Sequence, residues 1–84
     1  MKSFKQYIDL SKESLRKVTD KRGVTEEELD ALHLALLGQT AEEIAPTLGI
    51  SAAAVRKRLG AIYQKFDIVG NTAGKLEVLR GILQ

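Results

Sequence analysis

The stretch Thr40-Ala41-Glu42-Glu43-Ile44-Ala45-Pro46-Thr47-Leu48-Gly49-Ile50-Ser51-Ala52-Ala53-Ala54-Val55 decides the fold. Thr40 and Glu43 have the spacing of a capping pair. The hydroxyl accepts from the amide three residues on, and the carboxylate returns to the threonine amide. A short helix over Ala41–Leu48 follows, with Ile44, Ala45 and Leu48 turned inward. Pro46 lies inside it, removes one amide donor, and is expected to bend or loosen it. Gly49 supplies a tight turn. Ser51 then caps a longer helix whose apolar positions Val55, Leu59, Ile62 and Phe66 recur at i, i+4, i+7 and i+11. Small Ala45 lets the two helices approach closely, and Ile50 with Val55 fixes their crossing. This is the grammar of a helix-turn-helix, which leaves its second helix protruding from the bundle.

Working outward, Thr25 and Glu28 repeat the capping pair at the start of a preceding helix, with Val24 and Leu29 placed as a hydrophobic staple. Glu26, Glu27 and Glu28 suit the positive end of that helix dipole. Its expected buried stripe is Leu29, Leu32, Leu36 and Leu37, and Gly38 ends it. Upstream, Phe4, Tyr7, Ile8, Leu15 and Val18 form one apolar face of a helix that ends near Arg22 at Gly23. Downstream, residues 67–70 read as a corner. Asn71 or Thr72 then caps a last helix carrying Leu76, Val78, Leu79, Ile82 and Leu83. The expectation is an all-α fold: a small helical bundle of about five helices containing a helix-turn-helix. An N-terminal amphipathic helix (1–22) packs on a domain spanning 23–84.

Eighty-four residues make one domain, and the chain has no cysteine, which excludes disulfides and thiolate metal sites and suits a reducing cytoplasm. Apolar content of 44% with 29% charged residues fits a globular fold. No apolar run is long enough to span a membrane, and no apolar block follows the basic N-terminal residues as a signal peptide requires. The net charge of +2 is segregated: residues 1–22 carry +4, residues 23–50 carry −6 with no Lys or Arg, and residues 51–84 carry +4. A nucleic-acid footprint must therefore be local. His33 is the lone histidine and reads as a boundary residue. Tyr7 and Tyr63 read as packing residues with wet hydroxyls. No phosphate-cradling loop, metal-ligand set or catalytic constellation can be assembled, so neither cofactor, metal nor enzyme activity is expected.

From Val24 to Thr72 the chain resembles the LuxR/GerE-type DNA-binding domains, with sigma-factor promoter-recognition domains as near neighbours. The residues that carry the resemblance are Val24-Thr25 with Glu28, Gly38, Glu43-Ile44-Ala45, Leu48-Gly49-Ile50-Ser51, Val55-Arg56, Leu59, Ile62-Tyr63 with Lys65, and Thr72. The resemblance implies double-stranded DNA as partner and transcriptional regulation as the role. It implies that Arg56 and Lys57 read bases and that Thr40, Ser51, Ala53, Arg58 and Lys65 lie along the DNA backbone. It further implies a homodimer through Leu76, Leu79 and Leu83 of the last helix. The chain departs from the pattern at Ala41, Glu42, Ala54, Arg58, Gly60 and Asn71; Glu42 would lie near the DNA backbone, where its charge is adverse.

In helical projection Arg56, Lys57 and Arg58 spread over roughly 200°, with Lys57 pointing directly away from the buried stripe. The DNA reading fails if Arg56 and Lys57 are tucked against neighbouring carboxylates or covered by the leading helix. The other expectation is a helix-turn-helix scaffold reused as a protein-interaction adaptor within a larger signalling protein. A positive strip interrupted by Glu42 favours that alternative.

Overall fold

The computed structural model describes residues 11–68 and 74–83. It holds five α-helices: α1 (Lys12–Thr19), α2 (Glu26–Leu36), α3 (Ala41–Leu48), α4 (Ala52–Lys65) and α5 (Lys75–Leu83). A 3₁₀ turn at Asp20–Arg22 extends α1 to Gly23, which takes the left-handed conformation at φ 74°. The all-α bundle expected from the sequence is thus the observed one. Phe4, Tyr7, Ile8, Asn71 and Thr72 lie outside the described residues, as does the second half of the corner read at 67–70.

Side-chain caps open the first four helices. Ser11 accepts from the Ser14 amide at 3.2 Å, and Ser51 accepts from the Ala54 amide at 3.0 Å. Thr25 and Thr40 each form a full capping box, with Glu28 and Glu43 bonding back at 3.0 and 2.8 Å. These contacts satisfy amides that have no partner in the first turn. Helix α3 runs through exposed Pro46 to Leu48 and closes at Gly49, whose φ of 70° suits a residue without Cβ. The Ile50 amide reaches back to the Ala45 carbonyl at 3.0 Å, which sets the turn into α4. At the end of α4, Asp67 takes the left-handed conformation at φ 58°, and the Ile68 amide bonds the Tyr63 carbonyl at 2.8 Å. Buried Ile68 completes that stop.

Helix α2 is the centre of the molecule because it buries two faces. Its leucines Leu29, Leu32 and Leu36 join Leu15, Ile62, Phe66, Ile68 and Leu79, so that α1, α2, α4 and α5 share one cluster. Its alanines Ala31 and Ala35 join Ile44, Ala45 and Val55 in a second cluster that is the core of the helix-turn-helix. Small side chains on α2 and α3 let three helices converge there. Leu59 and Leu76 pack against both clusters.

Four residues assigned to apolar faces lie outside the core. Leu37 is 55% exposed, because it is the residue after α2 and is turned about 100° from Leu36. Val18 is exposed and Thr19 is buried in its place, its hydroxyl donating to the Leu15 carbonyl at 2.8 Å. Val78 and Ile82 of α5 are exposed, while Leu79 is fully buried. Among the described residues no helix is long and apolar enough to cross a membrane.

Candidate nucleic-acid interface

The segregated charge is resolved by ion pairs that converge on the acidic centre. Lys12 of α1 pairs with Asp30 and with Glu26 at 3.3 Å, and the Arg16 guanidinium grips Glu26 at 2.8 and 3.2 Å. From the other side, Lys65 reaches Glu28 at 2.6 Å and Arg56 pairs with Glu42. The Arg16 hydrogen bond, ahead of Lys12, pulls the Glu26 carboxyl down to about 2. Burial opposes ionisation of Glu28, but the Lys65 ammonium and the Thr25 amide together outweigh it and hold that carboxyl below its ordinary range. Glu42 is also held low, first by its own backbone amide and then by Arg56. Basic residues that looked like a footprint for a polyanion therefore serve in part to dock α1 and α4 onto the middle of the chain.

The outer face of α4 is built on the buried pair Val55 and Ile62. Opposite them Ala53 and Lys57 are exposed, and Lys57 makes no ion pair among the described residues. Arg58 is half-buried and likewise unpaired. Arg56 is exposed, but its guanidinium is held by Glu42 from the first turn of α3. Of the two base-reading candidates, then, Lys57 stands clear and Arg56 does not, and Glu42 interrupts the positive strip. Thr40 and Ser51 are exposed at the N-termini of α3 and α4, with their hydroxyl oxygens accepting the capping bonds.

Two sets of expected site residues are engaged within the bundle itself. The Lys65 ammonium, expected along the DNA backbone, donates to the Gly23 carbonyl at 2.8 Å as well as to Glu28 and locks α4 to the start of α2. Arg22 reinforces the same joint, donating to the Lys65 carbonyl at 3.2 Å and lying 4.9 Å from the Phe66 ring centre. The dimer stripe Leu76, Leu79 and Leu83 is the inward face of α5: Leu79 is fully buried and the other two are half-buried against the shared core. The Arg80 guanidinium fixes α5 by donating to the Leu36 carbonyl at 3.0 Å, which caps α2.

Sequence reading missed one surface feature. Arg56, Leu59, Gly60 and Tyr63 line an open groove of about 340 Å³ along one flank of α4. The Lys75 ammonium lies 5.8 Å from the centre of the Tyr63 ring. The i, i+3, i+4, i+7 spacing of these four α4 residues was the available signal.

Taken together, these helices form an all-α bundle in which a helix-turn-helix, α3 and α4, is braced by α1, α2 and α5. No family model, curated protein or solved structure matches the chain.

Proposed function

We propose that this chain is a binding module that recognises double-stranded DNA through the outer face of α4, in transcriptional regulation and in the cytoplasm. The observation that carries the reading is Lys57: an exposed cation on the second helix of a helix-turn-helix, opposite the core and clear of every carboxylate among the described residues. The resemblance of Val24–Thr72 to LuxR/GerE-type domains supports it. Arg56 joins Lys57 by exchanging Glu42 for a base. An exposed ion pair contributes at most about 1 kcal/mol, whereas a bidentate arginine–guanine contact contributes about 1–3 kcal/mol of discrimination. The exchange therefore runs toward DNA at a cognate site. The N-termini of α3 and α4, at Thr40 and Ser51, bring their helix dipoles toward phosphate. Binding is modest, since Lys65 is withdrawn and Glu42 repels the backbone. A homodimer remains part of the proposal, formed by a surface other than buried Leu79.

Anisotropy titrations of a labelled duplex, selected from a random pool, test this. Binding is expected to weaken by about 0.9 log units per log unit of salt for each phosphate neutralised. A slope of zero sinks the reading. Lys57→Ala with Arg56→Ala is expected to abolish specific binding with unchanged helicity, and Glu42→Lys to strengthen binding and steepen the slope by about one phosphate.

A second reading, an adaptor that docks another domain, is favoured by the Glu42–Arg56 pair and by the loss of Lys65 from the outer face. On that reading Glu42→Lys leaves the chain without measurable affinity for duplex DNA.

A further inference from the structure

Gly60 stands in the interior of a 14-residue helix. Glycine there weakens the helix relative to alanine. Its backbone is helical, and a Cβ placed on it would meet nothing within 4 Å. Neither packing nor backbone conformation thus requires glycine. What the missing side chain provides is depth in the groove between Leu59 and Tyr63. Gly81 is equally unobstructed, but it lies near the end of α5 and lines no part of this groove.

The groove is largely apolar, with one cation in its lining and a second beside its tyrosine. Leu59, Gly60 and the half-buried Tyr63 line it together with Arg56, and the Lys75 ammonium lies 5.8 Å from the centre of the Tyr63 ring. Its volume of about 340 Å³ lies at the lower end of the roughly 300–1,000 Å³ typical of binding clefts. Glu42 already pairs with Arg56 as an intramolecular carboxylate.

We propose that this groove docks a peptide segment of another protein, one that sets a bulky apolar side chain over Gly60 between flanking carboxylates. The carboxylates take Arg56 from Glu42 and pair with Lys75. Charge complementarity selects this occupant over nucleic acid. A peptide carboxylate replaces Glu42 one for one, while a continuous polyanion meets it as a fixed repulsion on a flank that offers leucine and tyrosine. The inference does not depend on DNA recognition, but both use Arg56, so the two partners exclude each other.

The test is a titration of the folded chain with a fluorescein-labelled synthetic peptide that alternates leucine with aspartate, read by anisotropy and by amide chemical shifts. Saturable binding is expected, with shifts centred on Leu59, Gly60 and Tyr63. Replacing the peptide's leucines by serine is expected to weaken it about tenfold or more, as for loss of one buried leucine. Gly60→Met fills the groove and raises helix propensity, so it should retain helicity while weakening the peptide by at least about tenfold. Gly60→Ala, a smaller filling, should fall between. The proposal is overturned if the serine peptide binds equally well, if Gly60→Met binds unchanged, or if shifts cluster elsewhere. It is equally overturned if the same shifts arise on concentrating the protein alone, which would make a second copy the occupant. Loss of duplex binding rather than peptide binding in Gly60→Met assigns the groove to DNA and overturns it too.

Discussion

Two capping boxes of the same chemistry begin α2 and α3, and they end in different surroundings. Thr25 and Thr40 have the same backbone conformation, with φ of −79° and −80° and ψ of 166° at both, and each hydroxyl accepts its amide at 3.2 Å. Around Thr25 the box is closed over. The Glu28 side chain is only 14% exposed, and Lys65 arrives from 37 residues away to share its carboxylate. Around Thr40 the box is open. Its nearest long-range ion pair, Glu42 with Arg56, has side chains 65% and 58% exposed. The same local grammar makes a joint of the bundle in one place and leaves a solvent edge in the other. Long-range charge, which local sequence does not encode, sets the difference.

The largest test of that contrast is Glu28→Ala. It removes the return bond to Thr25 and leaves Lys65 and the Gly23 carbonyl in a weakened joint, so a loss of about 2 kcal/mol is expected in urea unfolding followed by circular dichroism. Glu43→Ala, the matching change at the open box, should cost about 1 kcal/mol or less. Equal losses would erase the distinction. A smaller effect separates cap from ion pair at the open box: Thr40→Ala should cost about 1 kcal/mol, while Glu42→Ala should leave the urea midpoint nearly unchanged.

Acid gives the smallest and most local effect. The carboxyl of Glu26 is lowered from 4.5 to about 2, so what it adds to docking α1 is fully present above 4.5 and is lost as pH falls through about 2. Carboxyl chemical shifts should place that midpoint near 2, with amide protection of α1 declining over the same window. Lys12 is raised, chiefly by its hydrogen bond to Asp30, so its contribution persists below 10.5 and is lost at higher pH.

How much of this was legible follows from range. Helix starts at Ser51, Thr25 and Thr40 and the stop at Gly49 were readable because each involves residues only a few positions apart. The core stripe of α4 was readable for the same reason. Leu37 and Val18 were misassigned because an apolar residue one step off the stripe has the same composition signal but a direction turned by about 100°. In α5 periodicity marked Leu76, Leu79 and Leu83 as one stripe without saying whether their own core or a partner covers it; the core takes Leu79 whole and Leu76 and Leu83 in part. At the candidate site Lys57 stands where helical projection put it, and Glu42 intrudes as its charge suggested. The part Lys65 plays in the bundle was not legible because its partners, Gly23 and Glu28, are some forty residues away.

The convergence of cations on the acidic middle has a kinetic consequence. Before folding, the chain is a triblock polyampholyte, whose like-charged ends avoid one another while both are drawn to the centre. At 0.1 M salt that attraction reaches only about 10 Å, so added electrolyte should slow the collapse of the ends more than it loosens the finished bundle, whose apolar clusters are indifferent to ionic strength.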